Sequence, residues 1–283
     1  MKFAKMQGTG NDYIYVNCFE ETVFDPPAAA KFLSDRHFGV GSDGLVLIEP
    51  SDRADFKMDI YNSDGSRARM CGNAARCVAK YVCDNGLTDK SLISLETPGG
   101  IKYIDIYKEN GKVVSARVNM GAPILKSRDI PALFDSDTVI YLPLKVGEKA
   151  YRVTCLSMGN PHCVVFSNDA DSVNIQKTGP EFENHPAFPD RINTEFVQPL
   201  SGSHIKMRVW ERGAGETLSC GTGACAAAAA CILNGYCKRD TDITVTLRGG
   251  ELSVNWSADG AVYLTGPAAT VFTGEIACCG GAR

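Results

Sequence analysis

The chain has 283 residues, of which 44% are hydrophobic and 22% charged, and its formal net charge is -4. This composition is typical of a globular protein that is long enough for two ordinary domains. The acidic balance leaves no basic face to neutralise phosphates, so it argues against nucleic acid as the main partner and favours a small molecule.

No stretch of the sequence has the pattern of a secretory signal, and none reaches the roughly 18 apolar residues of a membrane span. We therefore expect a cytoplasmic protein with no membrane partner. In that reducing compartment, thiol chemistry or burial must explain the 12 cysteines, because a disulfide framework would not persist. Their spacing lacks the two-residue gap of a zinc knuckle, so we predict no metal.

Each half of the sequence predicts short alternating strands followed by one prominent helix. The first half has strand patterns at 2–4, 13–17 and 56–62 and a helix pattern at 73–84; the second has strand patterns at 151–156, 164–167 and 206–210 and a helix pattern at 222–233. Both helices follow a Cys-Gly pair and end before a glycine. The second is rich in alanine and has little polar character on any face, which predicts a helix enclosed by a curled sheet.

The two halves form an internal repeat. Asn11 and Asn160 are 149 residues apart, as are Cys71 and Cys220, and the asparagine precedes the cysteine by 60 residues in each half. A fixed offset of this kind predicts a duplicated domain. We place an N-terminal domain at 1–124, to which a C-terminal strand at 267–283 returns, and a second domain at 125–266.

Each repeat places a cysteine, Cys71 or Cys220, at a helix start. Free N–H groups at such a site bind carboxylates and lower the pKa of a thiol. If the two domains face each other across a cleft, one thiolate removes an α-proton while the opposite thiol delivers another, and no cofactor is needed. Eight other cysteines, at 18, 77, 83, 155, 163, 225, 231 and 237, are interpreted as small buried hydrophobes.

At these residues the chain resembles the diaminopimelate epimerase family over essentially its full length. The motifs that carry the resemblance are GTGNDYIYV at 8–16, HFGVGSDG at 37–44, YNSDGSRARMCGNAARC at 61–77, MGNPHCVVF at 158–166, RIN at 191–193 and ERGAGETLSCGTGACA at 211–226. Proline racemases share the cysteine pair, but their motifs resemble MCGHG and DRSPCGTG.

The resemblance implies an α/β (α+β) fold of two pseudo-symmetric domains, each a curled, mostly antiparallel β-sheet or barrel around a central helix. It implies a cofactor-independent epimerase that interconverts L,L- and meso-diaminopimelate in lysine and peptidoglycan precursor synthesis, acts on this small molecule alone and forms a homodimer. The residues that match the family's site are Cys71 and Cys220 as the acid–base pair, His162 and Glu211 as groups that tune the thiols, Asn11, Asn62, Gly72, Asn73, Asn160, Asn193, Glu211, Arg212, Gly221 and Thr222 for substrate binding, and Phe272 at the dimer contact.

The repeat is broken at Arg212, which aligns with Ser63 of the first half. A fork-shaped guanidinium suits a second carboxylate, which diaminopimelate has and a simple amino acid lacks.

Two alternatives remain open. One is another racemase of the same fold, acting on proline or hydroxyproline. The other is a binding or redox-sensing protein in which Cys71 and Cys220 form a reversible disulfide. Dinucleotide binding through the glycine-rich stretch after Cys220 is set aside, because the glycine pattern fails and no acidic residue follows at the required distance.

Overall fold

The computed structural model describes residues 1–277, and the chain divides into two compact units. The first comprises Met1–Val118 and the segment that starts at Thr265; the second comprises Asn119–Leu264. The domain limits predicted from the sequence, 1–124 with 267–283 and 125–266, stay a prediction. The end of the predicted C-terminal strand, with Cys278 and Cys279, lies outside the described residues.

The first unit is a set of strands around two helices. The helices are α1 (Pro26–Ser34) and α2 (Gly72–Asp84), and the strands are β1 (Lys2–Gly8), β2 (Asn11–Asn17), β3 (Gly44–Glu49), β4 (Phe56–Asn62), β5 (Arg67–Ala68), β6 (Leu92–Thr97), β7 (Gly100–Glu109), β8 (Lys112–Gly121) and β18 (Ala269–Glu275). The chain leaves this unit within β8. Strand β1 has two antiparallel neighbours in this unit, β18 and β2.

The second unit repeats this plan. Its helices are α3 (Ile175–Glu183), α4 (Gly221–Leu233) and a short 3-10 turn (Ser127–Asp129), and its strands are β9 (Val139–Val146), β10 (Lys149–Ser157), β11 (Pro161–Phe166), β12 (Asn193–Ser201), β13 (His204–Glu211), β14 (Gly215–Thr217), β15 (Ile243–Leu247), β16 (Gly250–Trp256) and β17 (Val262–Pro267). The chain returns to the first unit within β17.

Equivalent strands pair in the same register in both units, so the sequence repeat is also present in the fold. Strands β2 and β3 pair in parallel with Tyr15 opposite Val46, and β11 and β12 pair in parallel with Val164 opposite Glu195. Both members of one pair lie 149 residues from those of the other, which is the offset found in the motifs. Antiparallel pairs flank these parallel ones, as in β3 with β4, β6 with β7, β10 with β11 and β12 with β13. The predicted mostly antiparallel α/β fold is confirmed.

Helix α4 lies at the centre of the second unit. It packs against β10, β11, β12, β13, β15 and β16, and Ala226–Ala230 have no exposed surface. Alanine side chains end at Cβ, so strands can pack closely against the helix on every side. They also carry no polar atom that would need a partner when it is buried. The predicted enclosed helix is therefore confirmed. In the first unit α2 is buried from Gly72 to Ala79 and contacts β1, β2, β7 and β18.

No helix among residues 1–277 is long and apolar enough to cross a membrane.

The tight enclosure of α4 predicts that an enlarged side chain destabilises it. Ala228 has no exposed surface, so Ala228→Leu adds three carbon atoms inside a packed core. We expect the free energy of unfolding, measured by urea titration, to fall by about 1–3 kcal/mol. Ala28→Leu on exposed α1 is the matched control and should change it by less than about 0.5 kcal/mol. Equal losses in both variants would contradict the enclosure.

Candidate active site

In the first unit, Cys71 is the N-cap residue of α2. Its backbone is extended (φ -142°, ψ 116°), and its Sγ accepts a hydrogen bond from the Ala74 N–H at 3.5 Å. An N-cap side chain normally satisfies one of the N–H groups that a helix start leaves free. The half-buried thiol of Cys71 serves here in place of a hydroxyl.

The β1–β2 hairpin brings Asn11 to this thiol. Its two turn residues, Thr9 and Gly10, both have positive φ (51° and 84°), the geometry of a tight hairpin turn. The Cys71 thiol donates to Asn11 Oδ1 at 3.4 Å, and Asn11 Nδ2 donates to Asp43 at 2.8 Å. Asp43 therefore turns the amide so that its oxygen faces the sulfur.

Two buried side chains of α2 complete this cluster. Asn73 donates to Asn11 Oδ1 at 3.4 Å, and its own Oδ1 accepts from the Arg76 guanidinium at 2.9 Å. Arg76 has no exposed surface and also donates to the Pro267 carbonyl at 3.2 Å. Asn62, at the end of β4, donates its amide to Ser66 in the next turn.

In the second unit, Cys220 is the N-cap residue of α4, with the same extended backbone (φ -122°, ψ 111°). Its Sγ accepts from the Gly223 N–H at 3.3 Å and lies 3.5 Å from the Thr222 hydroxyl. The side chain is nearly enclosed, since only 6% of the residue is exposed.

Glu211, at the end of β13, faces Cys220. The charge of Glu211 acts on the Cys220 thiol, and Glu211 Oε1 accepts a hydrogen bond from the Thr217 hydroxyl. Burial raises the pKa of the Glu211 carboxyl, and the Thr217 hydrogen bond and the His162 ring partly counteract this rise.

The sequence-based prediction that a helix start lowers the thiol pKa is wrong for Cys220. Burial, followed by the charges of Glu211 and Glu195, raises the pKa of Cys220 well above its ordinary value, and the hydrogen bonds from Thr222 and Gly223 only partly offset this. Desolvation of a thiolate outweighs the few N–H dipoles at the helix start.

His162 occupies β11 with no exposed surface. Its Nδ1 lies 2.7 Å from Glu195 Oε1, and its Nε2 lies 3.0 Å from Asn160 Oδ1. Asn160 belongs to the turn between β10 and β11, so it is the counterpart of Asn11 in structure as well as in sequence.

Asn193 and Arg212 form the outer part of this cluster. The buried Asn193 donates to the Pro161 carbonyl at 2.7 Å and accepts from the Arg212 backbone N–H at 2.9 Å. The Arg212 guanidinium is exposed and donates to the Asp190 carbonyl at 2.8 Å. Asn193 thus sets the position of the arginine through the main chain.

Within the first unit the structure joins Asn11, Gly72 and Asn73 to Cys71; within the second it joins Asn160, His162, Glu211, Gly221 and Thr222 to Cys220. Sequence analysis missed Asp43, Arg76 and Glu195. Glu195 had a detectable signal: it lies two residues after Asn193 in a strand, so both side chains face the same side.

None of the cysteines among residues 1–277 forms a disulfide. Those predicted to be buried are buried at 77, 155, 163, 225, 231 and 237, whereas Cys18 and Cys83 are half-buried.

Comparisons with known proteins place these two clusters in a family context. The family model described as diaminopimelate epimerase matches residues 3–126 and 154–271. A diaminopimelate epimerase of Acetivibrio thermocellus is 55% identical over 277 residues, covering 98% of both chains, and that of Agathobacter rectalis is 55% identical over 284 residues, covering 98% of this chain and 99% of the relative.

A crystal structure of a hydroxyproline epimerase from Agrobacterium vitis, with trans-4-hydroxy-L-proline bound, shares the fold with a TM-score of 0.68. It is 14% identical in sequence and covers 98% of this chain and 90% of its own. Because sequence identity above 50% extends over nearly the whole chain and the family model matches both halves, the chain belongs to the diaminopimelate epimerase family.

Proposed function

We propose that this protein interconverts L,L-diaminopimelate and meso-diaminopimelate in lysine biosynthesis, and that it does so without a cofactor. The observation that carries the proposal is one arrangement present twice: a cysteine at the N-cap of a helix, 149 residues apart, in a member of this family. Epimerisation needs one group that removes an α-proton and another that supplies one to the opposite face.

In the proposed mechanism Cys71 and Cys220 are these two groups. The thiolate of one takes the α-proton, and the electron pair of the broken C–H bond is delocalised into the α-carboxylate. The thiol of the other then gives its proton to the α-carbon from the opposite face, so the two sulfurs end with exchanged protonation states. The N–H groups of Gly72, Asn73, Gly221 and Thr222 hold the carboxylate and stabilise its added charge.

The environment of Cys220 supports its starting role as the proton donor. Its raised pKa keeps the thiol protonated near neutral pH. When the reaction runs the other way, Cys220 must act as the base, and Glu211 is the neighbouring carboxylate that can accept its proton.

Replacement of either cysteine tests this mechanism. In D₂O the wild-type protein should place deuterium at one α-carbon of L,L-diaminopimelate and form the meso product, as followed by NMR. Cys71→Ala and Cys220→Ala should each lower the epimerisation rate by at least about 10²-fold, since each removes a proton-transfer group.

The matched controls are Cys83→Ala, half-buried on α2, and Cys225→Ala, buried on α4. Both should keep near wild-type rates. If the wild-type protein exchanged the α-proton of proline but not that of diaminopimelate, the two-thiol reaction would stand and the proposed substrate would be wrong. No exchange of either would overturn the function.

Arg212 is proposed to bind the distal carboxylate. Its exposed guanidinium forms one bond to a carbonyl, which leaves other donors of the fork for a ligand. Arg212→Met should raise KM for diaminopimelate about 10- to 150-fold, the loss of one charge-assisted interaction, while kcat changes less. Arg239→Met, an arginine stacked on Trp256 in the same unit, should leave KM unchanged. An unchanged KM in Arg212→Met would remove Arg212 from the binding site.

We also propose a cytoplasmic homodimer with Phe272 in its interface. Residues 270–273 of β18 are all exposed, and they include Val271 (57% exposed) and Phe272 (46%). Such a strand exposes apolar surface that a second copy of the chain would cover.

Light scattering coupled to gel filtration tests the dimer. Phe272→Asp should convert it to a monomer, because the substitution buries an unpaired charge in the interface. Phe24→Asp, which changes an exposed phenylalanine outside β18, should leave the dimer intact. A wild-type protein that runs as a monomer would contradict the proposal.

A further inference from the structure

Glu183, the last residue of α3, is a buried carboxyl group on which three hydrogen-bond donors converge. Only 6% of the residue is exposed. Its Oε2 accepts from the Trp210 indole N–H at 2.7 Å. Its Oε1 accepts from the Gly213 backbone N–H at 2.9 Å and from the Arg191 guanidinium at 3.0 Å. Because Trp210 and Gly213 flank residues 211–212, one side chain of α3 holds the segment that carries two of the proposed site residues.

The indole ring of Trp210 lies against α3. A Cβ on Gly179 would lie 2.3 Å from Trp210 Cδ2, so only a glycine leaves room for the ring there. Gly179 and Glu183 are four residues apart, and they therefore lie on the same face of the helix. The ring extends along this face from the glycine to the carboxyl group. Helix α3 thus both seats the indole and accepts its N–H, which fixes the end of β13.

Residues 211–214 form a tight turn with Arg212 at its second position. The N–H of the last residue donates to the carbonyl of the first at 3.1 Å. Gly213 has a positive φ of 79°, whereas the φ of Arg212 is negative, and this combination defines a type II turn. In a type I turn the peptide between these two residues is rotated by roughly 150°. That rotation would turn the Gly213 N–H away from Glu183, so the hydrogen bond to Glu183 holds the turn in its type II form.

Arg191 connects Glu183 to the guanidinium of Arg212. Arg191 has a positive φ of 58°, a left-handed conformation that is unfavourable for residues other than glycine. This φ sets the direction of the preceding carbonyl, that of Asp190, which accepts from the Arg212 guanidinium at 2.8 Å. The ion pair between Arg191 and Glu183 therefore stabilises the strained backbone that presents this carbonyl.

The repeat supplies an internal comparison. At the offset of 149 residues α1 aligns with α3, so its last residue, Ser34, is the counterpart of Glu183. In the same way Ser42 is the counterpart of Arg191, and its hydroxyl donates to that of Ser34 at 3.1 Å. The same two positions are therefore in contact in both units, through short hydroxyl groups in one and through an ion pair in the other. The carboxyl group is present in the unit that carries Arg212.

We propose that Glu183 is a positioning residue that orients Arg212 toward the distal carboxylate of the substrate, and thereby favours an amino acid with two carboxylates over one with a single carboxylate. The inference rests on the proposed function. An exposed arginine side chain samples many rotamers, and a ligand that binds it loses affinity in ordering them. A fixed turn and a fixed carbonyl acceptor restrict the arginine before the substrate arrives, which lowers that loss.

The indole N–H signals test the contact with Glu183 and do not depend on turnover. The chain has two tryptophans, so a proton–nitrogen correlation spectrum of the whole protein contains two such signals. The signal of Trp210 is the one missing from Trp210→Phe. The signal of Trp256, whose N–H donates to a backbone carbonyl, is an internal reference.

Glu183→Gln replaces one oxygen, an acceptor, by an NH₂ group, a donor. Two donors meet at Oε1 and one at Oε2, so the amide oxygen should remain with the two and the NH₂ should face the indole. The Trp210 signal should therefore move upfield, while that of Trp256 stays in place. If the Trp210 signal did not move, the indole would not be bonded to Glu183, and the proposal would be overturned.

Steady-state kinetics test the effect of Glu183 on Arg212. In Glu183→Gln the KM for diaminopimelate should rise about 10-fold because the arginine is misplaced, while kcat changes less than about 3-fold. In the Arg212→Met background the same substitution should raise KM less than about 2-fold, because Glu183 acts through the arginine. An equal rise of KM in both backgrounds, or a fall of kcat at constant KM, would overturn the proposal.

Asp59→Asn is the matched control, since Asp59 is a buried carboxylate that accepts from Arg67 in the first unit. It should lower the stability to urea without changing KM. If Glu183→Gln does not fold, Arg191→Asn carries the kinetic test, because asparagine tolerates a positive φ but lacks the guanidinium that reaches Glu183. Its KM should rise about 3-fold in the otherwise wild-type protein and stay constant in the Arg212→Met background. A constant KM in both would overturn the proposal.

Failure of the proposed function appears separately. It would be a wild-type protein in which the contact between Glu183 and Trp210 is present but diaminopimelate is not epimerised. The contact would then stand, and its role toward this substrate would be wrong.

Discussion

The first turn of an α-helix leaves N–H groups that the helix itself cannot satisfy, and both units of this protein are arranged around that deficit. A sulfur takes the position of the usual capping oxygen at Cys71 and at Cys220, and the backbone of each cysteine is extended. The free N–H groups next to each sulfur suit an anion. Small residues after each cysteine, Gly72 and Gly221, keep side chains out of this space.

Duplication explains the likeness of the two units, and their electrostatics explains why they are not interchangeable. The Cys71 cluster contains the buried cation of Arg76, whereas the Cys220 cluster contains two carboxylates and an imidazole. The two thiols therefore have different electrostatic environments on the same backbone frame. A reaction that needs an acid and a base at once benefits from two thiols that are not equally acidic.

Much of this arrangement could be predicted from the sequence. Motif spacing located the repeat, and a helix of consecutive alanines predicted its own enclosure, because a local pattern decides both. The acidity of Cys220 could not be predicted, since burial by distant strands reverses the effect of the helix start. Glu195 was missed for a related reason: its spacing from Asn193 puts both side chains on one side of the strand, but its contact with His162 on the neighbouring strand shows only in the folded chain.

The pairing of β18 with β1 has a consequence for the synthesis of the chain. Lys2 is opposite Glu275, so β1 acquires one of its two neighbouring strands only after the whole second unit has been synthesised. Between Val118 and Thr265 the ribosome builds the second unit, which takes roughly 7–30 s at about 5–20 residues per second. During that interval one edge of β1 presents unpaired backbone groups, the feature by which nascent sheets aggregate. The first unit is thus begun before the second unit and completed after it.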